Sequence, residues 1–446
     1  MEFISYHENL LKYLLYISKE DLEIAISHIH PEDILDALRL YEGDKKDILS
    51  KLPKDILVDV VDQAEDEEKY ELLSIVSEAR QKHIIDEMSS DELTDLLGSL
   101  SNEEANKIIY KMNIDDAKEI RELLSYEEDT AGGIMATEFI AIKEDMSIAN
   151  TLKYLQKEAP NAETAYYLYV LNHNSKLRGV VSLRDLVIND FNVEIKDIMN
   201  ENVISIPWDM DQEEVGNIFE KYGLLTMPVI DNSNRMLGII TADDIFEIIR
   251  EEDTEDIYRL AGLDEDEKIE RNIRESVKNR LPWLFVNLFT AILASITVSF
   301  FEGTIQRIVA LATFMPIVAG MGGNAGTQTL TLIVRSIALG ELTIDNTKKV
   351  LLKELGIGIF NGIAIGLSIG ILSFLWEKNI IFGVVIGVAM ILNMLIAAIS
   401  GFGIPIILKK LNIDPALASA VFVTTMTDVL GFFFFLGLAT LLIDFL

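Results

Sequence analysis

TADDIFEIIREEDTEDIYRLAGLDEDEKIERNIRESVKNRLPWL, from Thr241 to Leu284, is where one kind of polypeptide gives way to another. At its start eight acids (Asp243, Asp244, Glu247, Glu251, Glu252, Asp253, Glu255 and Asp256) fall within fourteen positions. Its charges stop at Arg280, and apolar sequence follows. Up to Arg280 the chain holds 64 acidic and 30 basic residues; from Leu281 to Leu446 it holds eight of each, so the whole net charge of −34 lies ahead of the divide. Like charges at i, i+4, such as Glu247 and Glu251, destabilise a helix unless something neutralises them. Divalent cations are the natural neutraliser: an ion between facing acidic surfaces holds them together, and its loss lets repulsion part them.

A polyanion of this size repels nucleic acid and anionic lipid surfaces, so no nucleic-acid partner is expected. The chain has no cysteine, which removes disulfides, thiolate metal sites and cysteine nucleophiles. Its five histidines are scattered through the acidic part without a ligand pair on one helix face, which disfavours zinc and copper. Carboxylates are what remains to offer a metal, and they suit hard ions such as magnesium, calcium or manganese. No nucleophile with its base and no phosphate loop stands out, so an enzyme is not expected. The opening MEFISYHENLLKYLL lacks a basic segment and a small-residue cleavage site, and reads as no signal peptide.

From Leu281 onward, apolar runs are long enough to cross a hydrocarbon core, which takes roughly 20 helical residues. Five spans are expected: Pro282–Phe301, Ile305–Ala338, Leu351–Trp376, Ile380–Leu408 and Pro415–Ile443. Lys278, Arg280, Arg335, Lys348, Lys349, Lys353, Lys409 and Lys410 flank one side, and Arg307 and Lys378 the other. By the positive-inside rule this places the acidic N-terminal part in the cytosol and the C-terminus outside the plasma (inner) membrane. An odd number of spans cannot form two equal halves, so a pore shared by a homodimer is attractive. Asp428, in VFVTTMTDVLGFFFF, sits near the middle of the fifth span, one turn after Thr424. An intramembrane carboxylate costs at least a few kcal/mol on insertion scales and normally faces water, an ion or a partner. The alternative is a side chain protonated or held by Thr424, Thr425 or Thr427. In PIVAGMGGNAGTQ, Pro316 to Gln328, Gly320, Gly322, Gly323 and Gly326 permit irregular backbone whose freed carbonyls would face an ion beside Asn324, Thr327 and Gln328. The alternative there is a glycine-rich packing face, which also explains Gly362, Gly366 and Gly370. Magnesium gives up water reluctantly, so one carboxylate per chain with neutral oxygens could hold its hydration shell without trapping it.

Residues 1–130 read as short amphipathic helices opening at HPEDILDAL, LPKDILVDVV, MSSDELTDLL, LSNEEANKII and NIDDAKEI. First-turn acids favour a helix N-terminus, which gives Asp91 and Asp95 an ordinary structural reason as well as a functional one. Behind them two segments repeat. MATEFIAIKEDMSIANTL (135–152) aligns with MNENVISIPWDMDQEEVG (199–216), and KLRGVVSLRDLVI (176–188) aligns with RMLGIITADDIFEI (235–248). Each unit reads strand, helix, two strands, helix. The pattern resembles a tandem of cystathionine-β-synthase (CBS) domains. That resemblance implies a compact pair with an adenosine-nucleotide cleft, ATP included, to which Tyr167, Arg184 and Asp185 are the candidate contacts.

The order of parts resembles the MgtE family of magnesium channels along essentially the whole chain. The expected architecture is multi-domain: an all-α acidic helical superhelix (1–130), tandem α/β CBS domains (131–198 and 199–253), a connecting or plug helix (254–279), and an all-α transmembrane pore domain of five helices (280–446). PIVAGMGGNAGTQ and TTMTDV match the family's pore motifs, and DQEEVGNIFEKYGLLTMPVID with TADDI match its second CBS unit. The resemblance implies a homodimer in membrane lipid, with Asp428 of both chains around a hydrated Mg2+ between the second and fifth spans, and Thr424, Gly320, Gly323, Asn324 and Thr327 along the path. It carries sensor carboxylates over to Glu213, Asp244, Glu247, Glu252, Glu255 and Asp256, with Asp91 or Asp95 facing them. Asp414 matches the residue that shares an ion with the connecting helix. Gly223 stands where many members have an acid, which puts one sensor site in doubt. High cytosolic Mg2+ would then close the pore. Rival expectations are a broader divalent transporter (Mn2+, Co2+, Ni2+), a proton- or sodium-coupled carrier, and a tethered nucleotide sensor that conducts nothing.

Overall fold

The computed structural model describes residues 2–17, 22, 26, 29–159, 162–264, 267, 272–417 and 419–446. They form two compact units, one ending at Ile248 and the other beginning at Ile249.

Among the described residues the first unit opens with nine α-helices: α1 (Glu2–Tyr16), α2 (Pro31–Arg39), α3 (Lys46–Lys51), α4 (Lys54–Asp62), α5 (Asp66–Ile75), α6 (Glu78–Glu87), α7 (Ser90–Ser99), α8 (Asn102–Ile109) and α9 (Ile114–Leu123). Their starts follow local chemistry. Pro31 opens α2 behind His30, whose ring accepts from the Glu32 amide, and Ser101 and Glu104 form a capping box on α8. Apolar positions such as Leu35, Val60, Leu72, Ile84 and Leu96 point inward.

The two repeats fold alike. In the first, β1 (Ala141–Lys143) runs parallel to β2 (Tyr167–Leu171), which pairs antiparallel with β3 (Leu177–Ser182). Helices α10 (Ile148–Glu158) and α11 (Leu183–Ile188) complete it. In the second, β4 (Ile206–Pro207), β5 (Thr226–Ile230) and β6 (Met236–Thr241) pair in the same order, with α12 (Gln212–Tyr222) and α13 (Ala242–Leu260). Each repeat lends the other a strap. Ala136 pairs with Ile239 and Asn200 with Val180, and the Tyr169 hydroxyl lies 2.8 Å from Thr226 Oγ1. The second repeat shares its core with the N-terminal helices: Met227, Val229, Ile240 and Ile245 continue the cluster that begins at Leu10.

Helix α13 carries unbroken through residue 253 to Leu260 and stops at Gly262, whose φ of +71° suits glycine. The connector expected over 254–279 is therefore not one helix: 263, 264, 267 and 272 are non-helical, and residues 265, 266 and 268–271 lie outside those described. The second unit continues with α14 (Ile273–Ser299), α15 (Glu302–Arg307), α16 (Ala310–Ala338), α17 (Thr347–Glu377), α18 (Ile380–Lys410) and α19 (Ser419–Leu441). Among the described residues four helices are long and apolar enough to cross a membrane: α14, α17, α18 and the 420–441 part of α19. The second expected span, Ile305–Ala338, falls mostly on α16, which is not among those four although its 29 residues reach about 43 Å. Its glycines, Asn324, Thr327 and Gln328 dilute its apolar content. The stretch 305–309, expected within that span, belongs instead to α15 and the bend after it. Glycines 362, 366 and 370 seat α17 against α18, where a Cβ on Gly366 would stand 2.6 Å from the Gly387 carbonyl oxygen.

Candidate functional site

Irregular backbone was expected from Pro316 to Gln328, but α16 runs helically through it. The glycines serve packing instead. Gly322 abuts the Asn393 side chain of α18, and Gly326 abuts Val423 of α19, so neither position has room for a Cβ. Gly320, Asn324 and Thr327 share the opposite stripe, which is open to the outside of the single chain. Gly323 lies at its edge, where a Cβ would stand 3.8 Å from Thr424 Cγ2.

On α19, Asp428 is half-buried and makes no hydrogen bond or ion pair among the described residues. Its neighbouring threonines do not hold it. Thr424 donates to the Ala420 and Val421 carbonyls at 2.9 and 3.0 Å, Thr425 to Val421 at 2.6 Å, and Thr427 to Thr424 at 2.9 Å. With their protons committed to the helix, these hydroxyls present only lone pairs outward. That geometry disposes of the threonine-held alternative and leaves a carboxylate beside acceptor oxygens, an arrangement that attracts a cation or its water shell.

A second carboxylate cluster lies in the first unit. Asp91, in the first turn of α7, is 7 % exposed, and its Oδ1 has no hydrogen-bond partner among the described residues. Ser90 ties α7 to the first repeat, donating to Glu138 Oε2 at 2.7 Å and accepting from the Thr137 amide at 2.9 Å. Asp244, at the start of α13, accepts from Thr241 Oγ1 at 2.5 Å. Burial, and then the charge of Asp91, push the Asp244 carboxyl up to about 6. Burial also raises Glu138. An orphaned buried oxygen among mutually repelling acids fits a bound cation. Among the described residues no three acidic or imidazole side chains converge on one metal position, so the pair would rely on water for its remaining ligands, as Mg2+ commonly does.

The other sensor candidates are dispersed. Asp95, Glu213 and Glu247 are exposed on α7, α12 and α13. Glu252, Glu255 and Asp256 are partly buried on the later turns of α13. There arginines intervene. Arg259 reaches Asp414 at 2.5 Å and also pairs with Glu255, and Arg335 of α16 reaches Asp253 at 2.5 Å. Burial, then Asp414, raise the Asp256 carboxyl. Leu260 packs with Leu330 and Val334 of α16 and Val423 of α19, at one end of both candidate pore helices. In the first repeat, β2–β3 pairing sets half-buried Tyr167 opposite Ser182, next to exposed Arg184 and to Asp185. Asp185 accepts from Ser182 Oγ at 2.6 Å.

Three segments match family models: residues 29–129 the MgtE intracellular N domain, 131–190 and 195–251 the CBS domain, and 315–438 a divalent cation transporter. The chain is 36 % identical over 322 residues to the magnesium transporter MgtE of Thermus thermophilus, covering 72 % of this chain and 71 % of that protein. It is 38 % identical over 316 residues to the magnesium transporter MgtE of Enterococcus faecalis, covering 71 % and 70 %. The chain belongs to the MgtE family. It is a transporter-family protein and not an enzyme. The crystal structure of the cytosolic domain of the Mg2+ channel MgtE in complex with ATP matches 55 % of this MgtE chain and 99 % of its own, at 32 % identity and a TM-score of 0.51. The soluble part of a magnesium transporter matches 56 % and 99 %, at 34 % identity and a TM-score of 0.52.

Sequence reading passed over two features of this chain. Asn393 is fully buried within α18, wedged between Gly322 and Gly431, and donates to the Val318 carbonyl of α16 at 2.7 Å. The signal was there: one amide in a 31-residue helix whose only other polar side chains are Ser400 and, at its end, Lys409 and Lys410. The other omission was the pairing of Arg259 with Asp414 and of Arg335, read only as a flanking charge, with Asp253, because these partners are remote in sequence. Gly223 has a local reason to be glycine, since it caps α12 with φ +61° and its amide bonds to Phe219 at 2.8 Å.

Proposed function

We propose that this chain is a Mg2+-selective channel for magnesium uptake across the plasma membrane. It works as a homodimer with five spans per chain, its N-terminal part cytosolic and its C-terminus outside. The acidic helical part (1–130) and the CBS pair (131–253) sense Mg2+, the connector (254–279) relays, and the bundle (280–446) conducts. The observation that carries this reading is Asp428: a carboxylate near mid-depth, without a protein partner, beside threonines that turn only lone pairs outward. Two such faces, with the open stripe of Gly320, Asn324 and Thr327, would line a path for an ion that keeps its water. Contact through the ion's own bound water suits Mg2+, whose exchange of ligands is slow and whose octahedral shell is demanding.

Closure at high cytosolic Mg2+ is proposed to follow from ion binding at Asp91 and Asp244, with Glu213, Glu247, Glu252, Glu255, Asp256, Asp414 and Asp95 contributing. Moving such a gate from mostly open to mostly closed takes about 5.5 kcal/mol of differential binding, which several weak sites can share. Support for a nucleotide at Tyr167, Arg184 and Asp185 comes from the relative crystallised with ATP.

The test is flux into liposomes without a proton or sodium gradient, wild type against Asp428→Ala, with Mg2+, Mn2+, Co2+ and Ni2+ in turn. The wild type is expected to pass Mg2+ passively, and the variant to lose that flux or its ion preference. Unchanged Mg2+ flux through the variant sinks the pore assignment, and flux only under a gradient favours the carrier.

A further inference from the structure

Glu354 is the eighth residue of α17, about 12 Å along it from the end that carries Lys348 and Lys349. It is 3 % exposed. Thr329 Oγ1 of α16 donates to its Oε2 at 3.3 Å, a long bond, and its Oε1 has no hydrogen-bond partner among the described residues. A carboxylate offers about four acceptor positions, and leaving a charged oxygen unmet inside a bundle costs more than the roughly 1–3 kcal/mol of a neutral group. The side chain borders a cavity of about 210 Å³ lined by Gln328 and Thr329 of α16, Lys353, Glu354 and Asn361 of α17, and Met394 of α18. The walls are well packed beside it: a Cβ on Gly358 would stand 2.9 Å from Ala398 Cβ. The space is therefore a groove that is tightly packed on one wall and open on the other, where Gln328, Lys353 and Asn361 are exposed.

We infer that this cavity holds a partly hydrated divalent cation on Glu354, a cation site in the membrane bundle separate from the Asp428 path. Three features select that ligand. The one buried carboxylate has an unused oxygen, and Thr329, Gln328 and Asn361 add neutral oxygens around the same space. At about 30 Å³ per water the cavity has room for about seven waters, enough for a six-coordinate hydrated ion and too roomy to cage a bare sodium ion. Lys353 at the lining makes no ion pair with Glu354 among the described residues, so it tempers the site without filling it. One carboxylate opposed by one ammonium gives weak binding, which a site that exchanges its ion readily requires.

Methionine methyl groups make the site observable. Met394 lines the cavity, whereas Met426 stands two residues from Asp428. In the full-length protein with labelled methionine methyls, in nanodiscs, Mn2+ is titrated as the paramagnetic probe. Broadening of Met394 is expected in the wild type. Glu354→Gln should raise the Mn2+ concentration for that broadening by at least about tenfold while the Met426 response persists. Added Mg2+ should reverse the Met394 effect, and Na+ in large excess should not. Lys353→Gln, at an exposed position, should lower the Mn2+ midpoint by about threefold or more, and it keeps the test decisive if Glu354→Gln fails to fold. A wild-type Met394 signal untouched by Mn2+, equal broadening in Glu354→Gln, displacement by Na+, or an unmoved midpoint in Lys353→Gln each overturns the site. None of these outcomes depends on flux, so the site can fail while the Asp428 pathway stands.

Discussion

Two acid-rich regions of this protein solve the same electrostatic problem differently. In the unit ending at Ile248, Asp91, Glu138, Asp243 and Asp244 gather, and among the described residues no lysine or arginine pairs with them. In the unit beginning at Ile249, Asp253, Glu255 and Asp414 have Arg335 and Arg259 built in as counter-charges. The sequence presents one continuous run of acids from Asp243 to Asp256. The structure divides that run into a part that needs a proton or an outside cation and a part that already has guanidinium neighbours. Density of acid is therefore a poor guide to where an added cation would be favoured, and the absence of an internal cation is a better one.

The sharpest way to break this contrast is Asp91→Asn. Asp91 has an unmet buried oxygen and is the leading charge acting on Asp244, so its loss removes both a ligand and the repulsion that a ligand relieves. The Mg2+ concentration at which the full-length protein is half-stabilised against heat should rise by about tenfold, equivalent to about 1.4 kcal/mol. Without Mg2+ the variant should melt no lower than the wild type. An unchanged Mg2+ midpoint would remove Asp91 from the sensor.

Next in size is the pH dependence. The folded Asp244 carboxyl stands at about 6 against an ordinary 3.8, so between those values the folded protein holds a proton that the unfolded chain has released. Stability from this group is then greatest at the acid end and declines as pH rises through 6, by up to about 3 kcal/mol. Mg2+ should counter that decline, so its stabilising effect should be larger at pH 7.5 than at pH 5. Equal Mg2+ stabilisation at both values would contradict a cation acting on this carboxyl.

Arg259→Gln probes the other half of the comparison. Removing the guanidinium takes one cation away from Glu255 and Asp414, and an added divalent ion then meets less competition. Mg2+ closure of the channel, read as flux against cytosolic-side Mg2+, should shift to concentrations lower by about threefold. A shift to higher concentrations would mean that Arg259 supports the closed state instead of competing with the ion.

Much of this was legible in the chain itself. Local signals placed the helix starts at His30, Ser101 and Asn113 and the paired strand–helix repeats, because caps and alternation act over a few residues. The charge break at Arg280 falls within α14, the first long apolar helix, which begins at Ile273. What escaped were relations between distant positions. Gly322 and Gly326 were open to two readings until Asn393 and Val423 were found against them. Asp253 and Arg335 are 82 positions apart, and Arg259 and Asp414 are 155 apart, so no window of sequence joins them. Residue 428 could be singled out from its burial cost alone, but only the directions of Thr424, Thr425 and Thr427 showed that they do not hold it.

The smallest expected effect is the control on which the whole contrast rests. Asp185 and Asp244 occupy equivalent places in the two repeats, each at the third position of its helix and each accepting from the hydroxyl three residues before it, Ser182 or Thr241. Only Asp244 has Asp91 pressing on it. Asp185→Asn should therefore cost what a weakened cap costs, about 1 kcal/mol or less, seen as a melting point a few degrees lower. Its Mg2+ midpoint should match the wild type. If Asp185→Asn moved that midpoint as far as Asp91→Asn, the capping motif alone would set the response, and the missing counter-cation around Asp244 would not be what distinguishes the two repeats.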